Sequence, residues 1–379
     1  MRKLIRTDIS KCVGCNCCLS VCPISEANIA FVENDRLKVK VDGEKCITCG
    51  ACLTACRYNS RDYDDDTERF IEDMMNGEAI SVFCAPVARA NLRGWSRMLT
   101  WLRSLGAKNI FDVSLGADIC TWAYIRWIRQ NCPKTIISQP CPAIVDYVLL
   151  HNPPLLPYLN PVYSPMMCMA IYMRRYQNIP HKLAAISGCI AKAGEFEETG
   201  SLVSYNVTFK KLEEYIARSG ITLPVRPGNY DRCQSGLGAA YAHTGGLKEN
   251  MEFFLGKALC VDKSEGQSVV YKVLDEFGKG NRENWPMVFD VLNCPEGCNM
   301  GTRVVHDKTV FKGETGMATS GKAALTGRNR TYYDQIFADF DGSLRLTDFL
   351  RQYHSHPTMK QEASERHKVQ SARIAVETL

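Results

Sequence analysis

Beyond residue 78, short apolar runs alternate with segments of helical pattern along most of the chain. The runs are rich in β-branched and aromatic residues, which predicts strands, and the segments between them predict helices. Such alternation is typical of a mostly parallel sheet covered by helices. The predicted strands are Ala79–Phe83, Asn109–Val113, Thr135–Ile137, Leu183–Ile186 and Met287–Leu292.

The first sixty residues lack this alternation and are rich in cysteine instead. Nine of the nineteen cysteines lie between Cys12 and Cys56, and an acidic stretch at 62–68 follows them. A chain of 379 residues is long enough for two or three domains. We therefore predict a small α+β domain at residues 1–78, a larger α/β domain at 79–353 and a polar C-terminal tail at 354–379.

Composition narrows the class of protein. Hydrophobic residues make up 45% of the chain and charged residues 23%, which is ordinary for a globular protein. The formal charge of +5 would be offset by negatively charged metal clusters, so no nucleic-acid surface is predicted. No apolar run reaches the length of a membrane span. An odd cysteine count without an apolar signal segment fits disulfides poorly, and we expect a reducing cytoplasmic location.

Two cysteine motifs in the first domain share one spacing. Each contains C-x2-C-x2-C-x3-C, which lets a tight loop direct three sulfurs to one 4Fe-4S cubane while the fourth cysteine ligates the other cluster. A zinc site is the alternative, and the doubled four-cysteine pattern favours iron. Cys17 is spare and is expected to be a packing residue. The first predicted ligand group is Cys12, Cys15, Cys18 and Cys56, and the second is Cys22, Cys46, Cys49 and Cys52.

Four more cysteines follow apolar runs of the larger domain. Ligands bind beyond the carboxyl ends of strands in open α/β sheets, so these cysteines are predicted to converge there. Buried free cysteines are the alternative reading for any one of them. The four are Cys141, Cys189, Cys294 and Cys298.

These segments resemble the signature loops of the iron-only (FeFe) hydrogenases. Those loops hold a cysteine before Pro, a cysteine followed by Lys and Glu three and six residues later, and a C-P-x-G-C pair. The likeness spans roughly residues 1–350, and 344–353 resembles the end of the hydrogenase region in sensory members. The matching residues are Cys141, Cys189 with Lys192 and Glu195, Cys294 with Cys298, Ala85-Pro86 with Arg89, Gly116-Ala117-Asp118, Ser164-Pro165 and Tyr241 before Thr244-Gly245-Gly246.

The resemblance implies a two-lobed hydrogenase domain that holds an H-cluster between its lobes. In such a cluster the four later cysteines would bind a cubane, and Cys298 would bridge it to a diiron unit with carbonyl, cyanide and dithiolate ligands. Small ligands of this kind keep iron low-spin, as hydrogen binding requires. Lys192 and Glu195 are the implied catalytic residues. The implied cofactor-binding residues are Ala85, Pro86, Ser187, Gly188 and Tyr241.

The sequence departs from the family pattern at the proton relay. Pro140 stands where efficient members have a second cysteine, and Trp122-Ala123-Tyr124 replaces an expected acidic residue. Ser187 and Leu292 replace methionine-type neighbours of the diiron unit. All cluster ligands are retained, which indicates slow or rerouted proton transfer. Candidate substitute relays are Cys84, Cys120, Cys168, His243 and Glu195, and a structural role is the alternative for each. Cys84, two residues before Pro86, is the first choice among them as a catalytic residue.

The sequence is compatible with three functions. The first is a slow hydrogenase that interconverts H2 with protons and electrons and exchanges electrons with a carrier such as ferredoxin. The second is a hydrogen or redox sensor with a signalling partner. The third is an iron-sulfur assembly factor of the same fold, against which the two complete motifs argue.

Overall fold

The computed structural model describes residues 4–232, 236–256, 260–279, 285–304 and 330–353. The tail predicted at 354–379 lies outside these residues. The strands are β1 (Ile5–Thr7), β2 (Asn28–Glu33), β3 (Arg36–Val41), β4 (Arg61–Tyr63), β5 (Ile80–Cys84), β6 (Ile110–Asp112), β7 (Ile136–Ile137), β8 (Lys182–Ser187), β9 (Tyr205–Thr208), β10 (Val261–Glu265) and β11 (Val288–Leu292). The helices are α1 (Cys17–Ser20), α2 (Ala51–Ala55), α3 (Thr67–Met75), α4 (Ala88–Asn91), α5 (Trp95–Ser104), α6 (Val113–Asn131), α7 (Pro142–Leu150), α8 (Pro165–Ile171), α9 (Lys192–Glu198), α10 (Phe209–Arg218), α11 (Gly246–Leu255), α12 (Val270–Lys279) and α13 (Arg330–Ser343).

The first domain consists of two small antiparallel strand pairs and two short helices. Strand β1 pairs with β4, and β2 pairs with β3 as a hairpin from Asn28 to Val41. Each short helix begins within a cysteine motif, directly after a residue with left-handed backbone conformation, Asn16 or Gly50. The cysteine loops are thus held by turns rather than by a large core, as expected of so small a domain.

The first lobe of the larger domain is built on a four-stranded parallel sheet. Its strand order is β6-β5-β8-β9, and all five residues of β5 are buried. Helices α5 and α10 contribute to its core, and Phe70, Ile71 and Met74 of α3 join the same core. Helix α3 therefore packs with this lobe, although the predicted boundary at residue 78 assigns it to the first domain.

The second lobe is built on a three-stranded parallel sheet with the order β10-β11-β7. Helices α7 and α12 cover it, with Ile144, Val148 and Leu274 fully buried. A third core, formed mainly by α6, α8, α11 and α13, connects the two lobes. Two parallel sheets in two lobes confirm the predicted fold class.

The five predicted strands are present as β5, β6, β7, β8 and β11. Two strands of the larger domain, β9 and β10, were not predicted. None of the helices in the described residues is both long and apolar enough to span a membrane.

Candidate metal centres

The first cysteine group (Cys12, Cys15, Cys18 and Cys56) lines one small pocket of the first domain. Three of these residues lie in or next to the loop that leads into α1, and the fourth follows α2. The Arg61 guanidinium lines the same pocket and donates to Cys18 Sγ over 3.2 Å. Cys17, expected to be a packing residue, also borders this pocket. The exchange of the fourth ligand between motifs is thus compatible with the geometry.

The second cysteine group (Cys22, Cys46, Cys49 and Cys52) also comes together. Burial raises the pKa of the Cys46 thiol to about 11 and that of Cys52 to about 12. The pKa of Cys49 is raised well above its usual value by burial, and the other three thiols of the group raise it further. Four thiols this close in a dry site suit the cationic core of a metal cluster, because metal binding favours the thiolate form.

A cavity lies where the strand ends of the two lobes meet. The segments after β5, β7, β8 and β11 all reach it, as the strand-end argument predicts. We call this the interlobe cavity. Its lining includes Ala85, Pro86, Pro140, Cys141, Ser187, Gly188, Cys189, Lys192, Tyr241, Leu292, Cys294 and Cys298.

The four cavity cysteines (Cys141, Cys189, Cys294 and Cys298) form one electrostatic group. Burial raises the pKa of the Cys189 thiol to about 11 and that of Cys298 to about 12, and neighbouring cavity thiols add to both shifts. The Cys298 side chain is accessible from the cavity although protein surrounds it. Backbone amides of Ala191 and Lys192 point at Cys189 and favour its thiolate. This donor set fits a cubane, since thiolates are the usual ligands of iron-sulfur clusters.

Lys192 is a buried cation at the wall of this cavity. Its Nζ donates to Glu195 Oε2 over 2.6 Å, to Ser164 Oγ over 2.9 Å and to the Pro140 carbonyl over 3.1 Å. The side chain of Glu195 is only 4% exposed, so this ion pair is shielded from water. The pair therefore places a fixed positive charge beside the cavity and ties α9 to the segment before Cys141.

The turn between Cys294 and Cys298 depends on left-handed backbone. Glu296 has a φ of 58° and Gly297 a φ of 71°. A Cβ on Gly297 would lie 2.8 Å from the Ala242 carbonyl oxygen, so only glycine fits without displacement. The two cysteines are thereby brought to the same cavity on consecutive turns of chain.

The first domain forms part of the wall of the interlobe cavity. Cys49 lines the cavity, and Thr302 Oγ1 donates to the Cys49 carbonyl over 3.2 Å. A Cβ on Gly50 would lie 2.3 Å from Thr302 Oγ1, so the two loops are in close contact. The second cysteine group is therefore adjacent to the four cavity cysteines. Sequence reasoning missed Thr302, because no spacing or motif signals this contact.

Several predicted relay residues do not line the cavity. Cys84 is fully buried beside Asp112, Arg89 and Tyr230. Side chains alternate along an extended segment, so Cys84 points away from the cavity that the next residue, Ala85, lines. Cys84 is therefore not among the residues that line the cavity, and its proton-transfer role stays a prediction. Burial raises the pKa of its thiol to about 12.

The other candidates lie one contact further out. Tyr241 lines the cavity and its hydroxyl donates to Cys120 Sγ over 3.6 Å. Cys120 and Cys168 both donate to the Tyr163 carbonyl, over 3.4 and 3.3 Å. His243 pairs through its Nε2 with the carboxylate of Glu249, and it does not line the cavity. Among the described residues, no three Cys, His, Asp or Glu side chains are close enough to hold a single metal ion.

Comparison with known families agrees with this site. The family of the iron only hydrogenase large subunit, C-terminal domain, matches residues 78–267, and a 4Fe-4S dicluster domain matches residues 4–57. The chain belongs to the iron-only hydrogenase family. The family match ends before Cys294, and the structure brings Cys294 and Cys298 to the cavity.

Solved hydrogenase structures share the fold. One is an FeFe-hydrogenase structure that concerns oxygen inactivation by modification and degradation of the H-cluster 2Fe subcluster. It matches with a TM-score of 0.58 at 15% sequence identity, and the match covers 77% of this chain and 99% of that chain. A variant of the FeFe-hydrogenase HydA1 from Chlamydomonas reinhardtii has a TM-score of 0.55 at 15% identity, with the same coverage. A HydA structure that revealed stepwise H-cluster assembly has a TM-score of 0.54 at 15% identity, covering 76% of this chain and 98% of its own.

Proposed function

We propose that this chain interconverts H2 with protons and electrons at an H-cluster held in the interlobe cavity. The observation that carries the proposal is that four thiols and the Lys192 ammonium line one cavity together with Cys49. A cubane bound by the cavity cysteines would thus lie beside the second cysteine group. When bound, the diiron unit would supply low-valent iron with an open position for hydrogen.

The chain's own residues would bind, orient and enclose this group. Lys192, fixed by Glu195 and Ser164, offers an ammonium to an anionic cyanide ligand. Ala85 and Pro86 at the end of β5 offer close backbone contact for the second cyanide. Ser187, Gly188 and Tyr241 complete the wall, and the largely apolar lining excludes water.

Proton transfer is the step at which we expect this chain to be slow. Pro140 lines the cavity and has no ionisable group, so the usual donor and acceptor is missing. Lys192 and Glu195 are the ionisable pair nearest this position, and we propose that protons leave the cavity through them. The proton would pass from Lys192 Nζ to Glu195 Oε2, which are 2.6 Å apart, and Lys192 would regain a proton from the cavity. Glu195 would release its proton when water reaches the pair.

A sensory role is the second candidate. The sensory role is favoured by Pro140, because proline at this position removes fast proton transfer while the ligand set for a hydrogen-responsive cluster is retained. In that case hydrogen binding would change the charge state of the clusters, and a signalling partner would read it. A carrier such as ferredoxin would exchange electrons in either case, in a reducing cytoplasmic environment.

Infrared spectroscopy of anaerobically matured protein tests the proposal. We expect carbonyl and cyanide bands in the wild type, their loss in Cys298→Ala, and their retention in Cys132→Ala, which removes an exposed thiol at the end of α6. Absence of the bands from wild-type protein would exclude both candidates. Measurable H2 uptake supports the enzyme, whereas a spectral response to H2 with negligible turnover supports the sensor.

A further inference from the structure

Two buried cations flank the first cysteine group. Lys38 is 9% exposed, and its Nζ donates to the carbonyls of Ile9 and Cys12 over 2.9 and 2.6 Å. Both carbonyls belong to the loop that carries the first motif. The ammonium is therefore fixed beside the cluster loop by neutral acceptors.

Arg61 is the second of these cations, and it is 8% exposed. Its Nη2 donates to Cys18 Sγ over 3.2 Å and to Asn28 Oδ1 over 2.8 Å, and its Nη1 donates to Thr7 Oγ1 over 2.7 Å. All these acceptors are uncharged unless Cys18 is a thiolate. In the part of the chain that the structure describes, neither Arg61 nor Lys38 forms an ion pair with a carboxylate.

A buried cation without a negative partner is costly, because it has lost its hydration without compensation. The expected partner is an anion in the pocket that Arg61 lines. A cluster held by four thiolates is negatively charged, and it becomes more negative when it takes up an electron. Buried cations stabilise the reduced form more than the oxidised form, so they raise the reduction potential.

The second cysteine group has a different set of contacts. Cys46 Sγ accepts from the Thr48 amide over 3.4 Å, and the Cys22 thiol donates to the Ile24 carbonyl over 3.0 Å. These hydrogen bonds come from neutral groups, and the Arg61 charge reaches Cys22, Cys46 and Cys52 only over a longer distance, where it lowers the pKa of each thiol. The direct hydrogen bond from a guanidinium belongs to Cys18 of the first group.

We propose that Arg61, assisted by Lys38, raises the reduction potential of the cluster in the first cysteine group above that of the cluster in the second. One electron then moves from the second cluster to the first without any bond being formed or broken. Because the second group borders the interlobe cavity and Cys15 of the first group is exposed, this gradient drives electrons from the cavity to the protein surface. The first cluster is thus the electron exit. This last step rests on the proposed function, whereas the potential difference does not.

Potentiometric titration followed by electron paramagnetic resonance tests the proposal on the full chain with its two N-terminal clusters. Arg61→Gln is compared with Arg57→Gln, which removes an exposed cation next to Cys56 of the same group. We expect Arg61→Gln to lower the equilibrium constant for reducing the first cluster at least tenfold, or about 59 mV for one electron. We expect Arg57→Gln to change it less than threefold, and less still at high salt.

Equal shifts in the two variants, or no shift in Arg61→Gln, would overturn the proposal. So would a wild-type second cluster with the higher potential. If Arg61→Gln does not retain its first cluster, Lys38→Gln and Arg61→Lys are measured instead. A lowered potential in Lys38→Gln together with a near wild-type potential in Arg61→Lys supports the proposal. Any other pattern rejects it. The measurement needs no diiron unit, so the potentials of the two N-terminal clusters can be interpreted even if the protein shows no H2 chemistry.

Discussion

At the scale of single residues, buried charge is placed where the proposed chemistry needs it. Lys192 and Glu195 form a shielded ion pair at the cavity wall, and such pairs are usually neutral or costly for stability compared with apolar residues. Removal of one partner is far worse, because it leaves an unpaired buried charge. The pair therefore has a structural cost that a functional role would explain.

Lys192→Met should destabilise the cluster-loaded protein by about 3–5 kcal/mol, since it leaves the Glu195 carboxylate buried without its cation. The double variant with Glu195→Gln should recover part of this loss. Thermal unfolding followed by circular dichroism and by the iron-sulfur absorbance measures both. Equal stability of the single and double variants would contradict a tightly coupled pair.

Asp290 on β11 should make stability depend on pH. Burial raises the pKa of this carboxyl to about 6, above the value of about 3.9 expected in an unfolded chain. The folded state therefore binds the proton more tightly, and the stabilisation is lost as pH rises through about 6. Asp290→Asn lacks this loss, and its unfolding temperature should rise relative to the wild type between pH 5 and 7. A difference that is constant over this range would argue against the shift.

At the scale of elements, all the interior strands of the larger domain were predictable, whereas two of its four edge strands, β9 and β10, were not. Strands β5, β8 and β11 lie between two neighbours and are almost entirely apolar, which is the pattern that marks a buried parallel strand. Strands β9 and β10 lie at sheet edges, and β10 has the polar sequence VDKSE. An edge strand that carries polar and charged residues, as β10 does, cannot be recognised from an apolar pattern, whereas the apolar edge strands β6 and β7 can.

Helix α6 crosses α8 at a distance that only glycine allows. A Cβ on Gly116 would lie 2.3 Å from the Pro165 carbonyl oxygen and 2.8 Å from Met169 Cβ. Gly116→Ala should therefore destabilise the larger domain by about 1–3 kcal/mol or more. Gly194→Ala in α9 is the matched control, since its Cβ would meet nothing within 4 Å and should add up to about 1 kcal/mol. Equal unfolding temperatures for the two variants would refute the close crossing.

At the scale of the whole molecule, three cysteine groups follow one another from the surface to the interlobe cavity. Motif spacing predicted the members of the two N-terminal groups, because spacing determines which sulfurs one loop can direct to a common point. The four cavity cysteines were predicted from their positions after strands instead. Spacing could not predict that Cys49 borders the cavity or that Cys84 points away from it. Both facts depend on how the domains dock and on how one strand is oriented, and neither leaves a local pattern in the sequence.

The exchange of the fourth ligand makes a prediction about the first domain as a whole. Cys22→Ala should impair the cluster of Cys46, Cys49 and Cys52 although Cys22 lies in the first motif. Cys17→Ala should retain both clusters. Iron content and electron paramagnetic resonance of the reduced protein distinguish these outcomes. Loss of the first cluster in Cys22→Ala would show that the ligands are not exchanged.

The contact between Gly50 and Thr302 limits how freely the first domain could be replaced by another. A dicluster domain carries all its ligand cysteines within one short stretch of sequence, so one such domain could in principle replace another. Here a substitute domain would need glycine at the position of Gly50, or its side chain would collide with Thr302 and separate the two loops. A chimaera with a perfect set of cysteines but a larger residue at that point would have a longer tunnelling distance between its clusters, and electron transfer would slow accordingly.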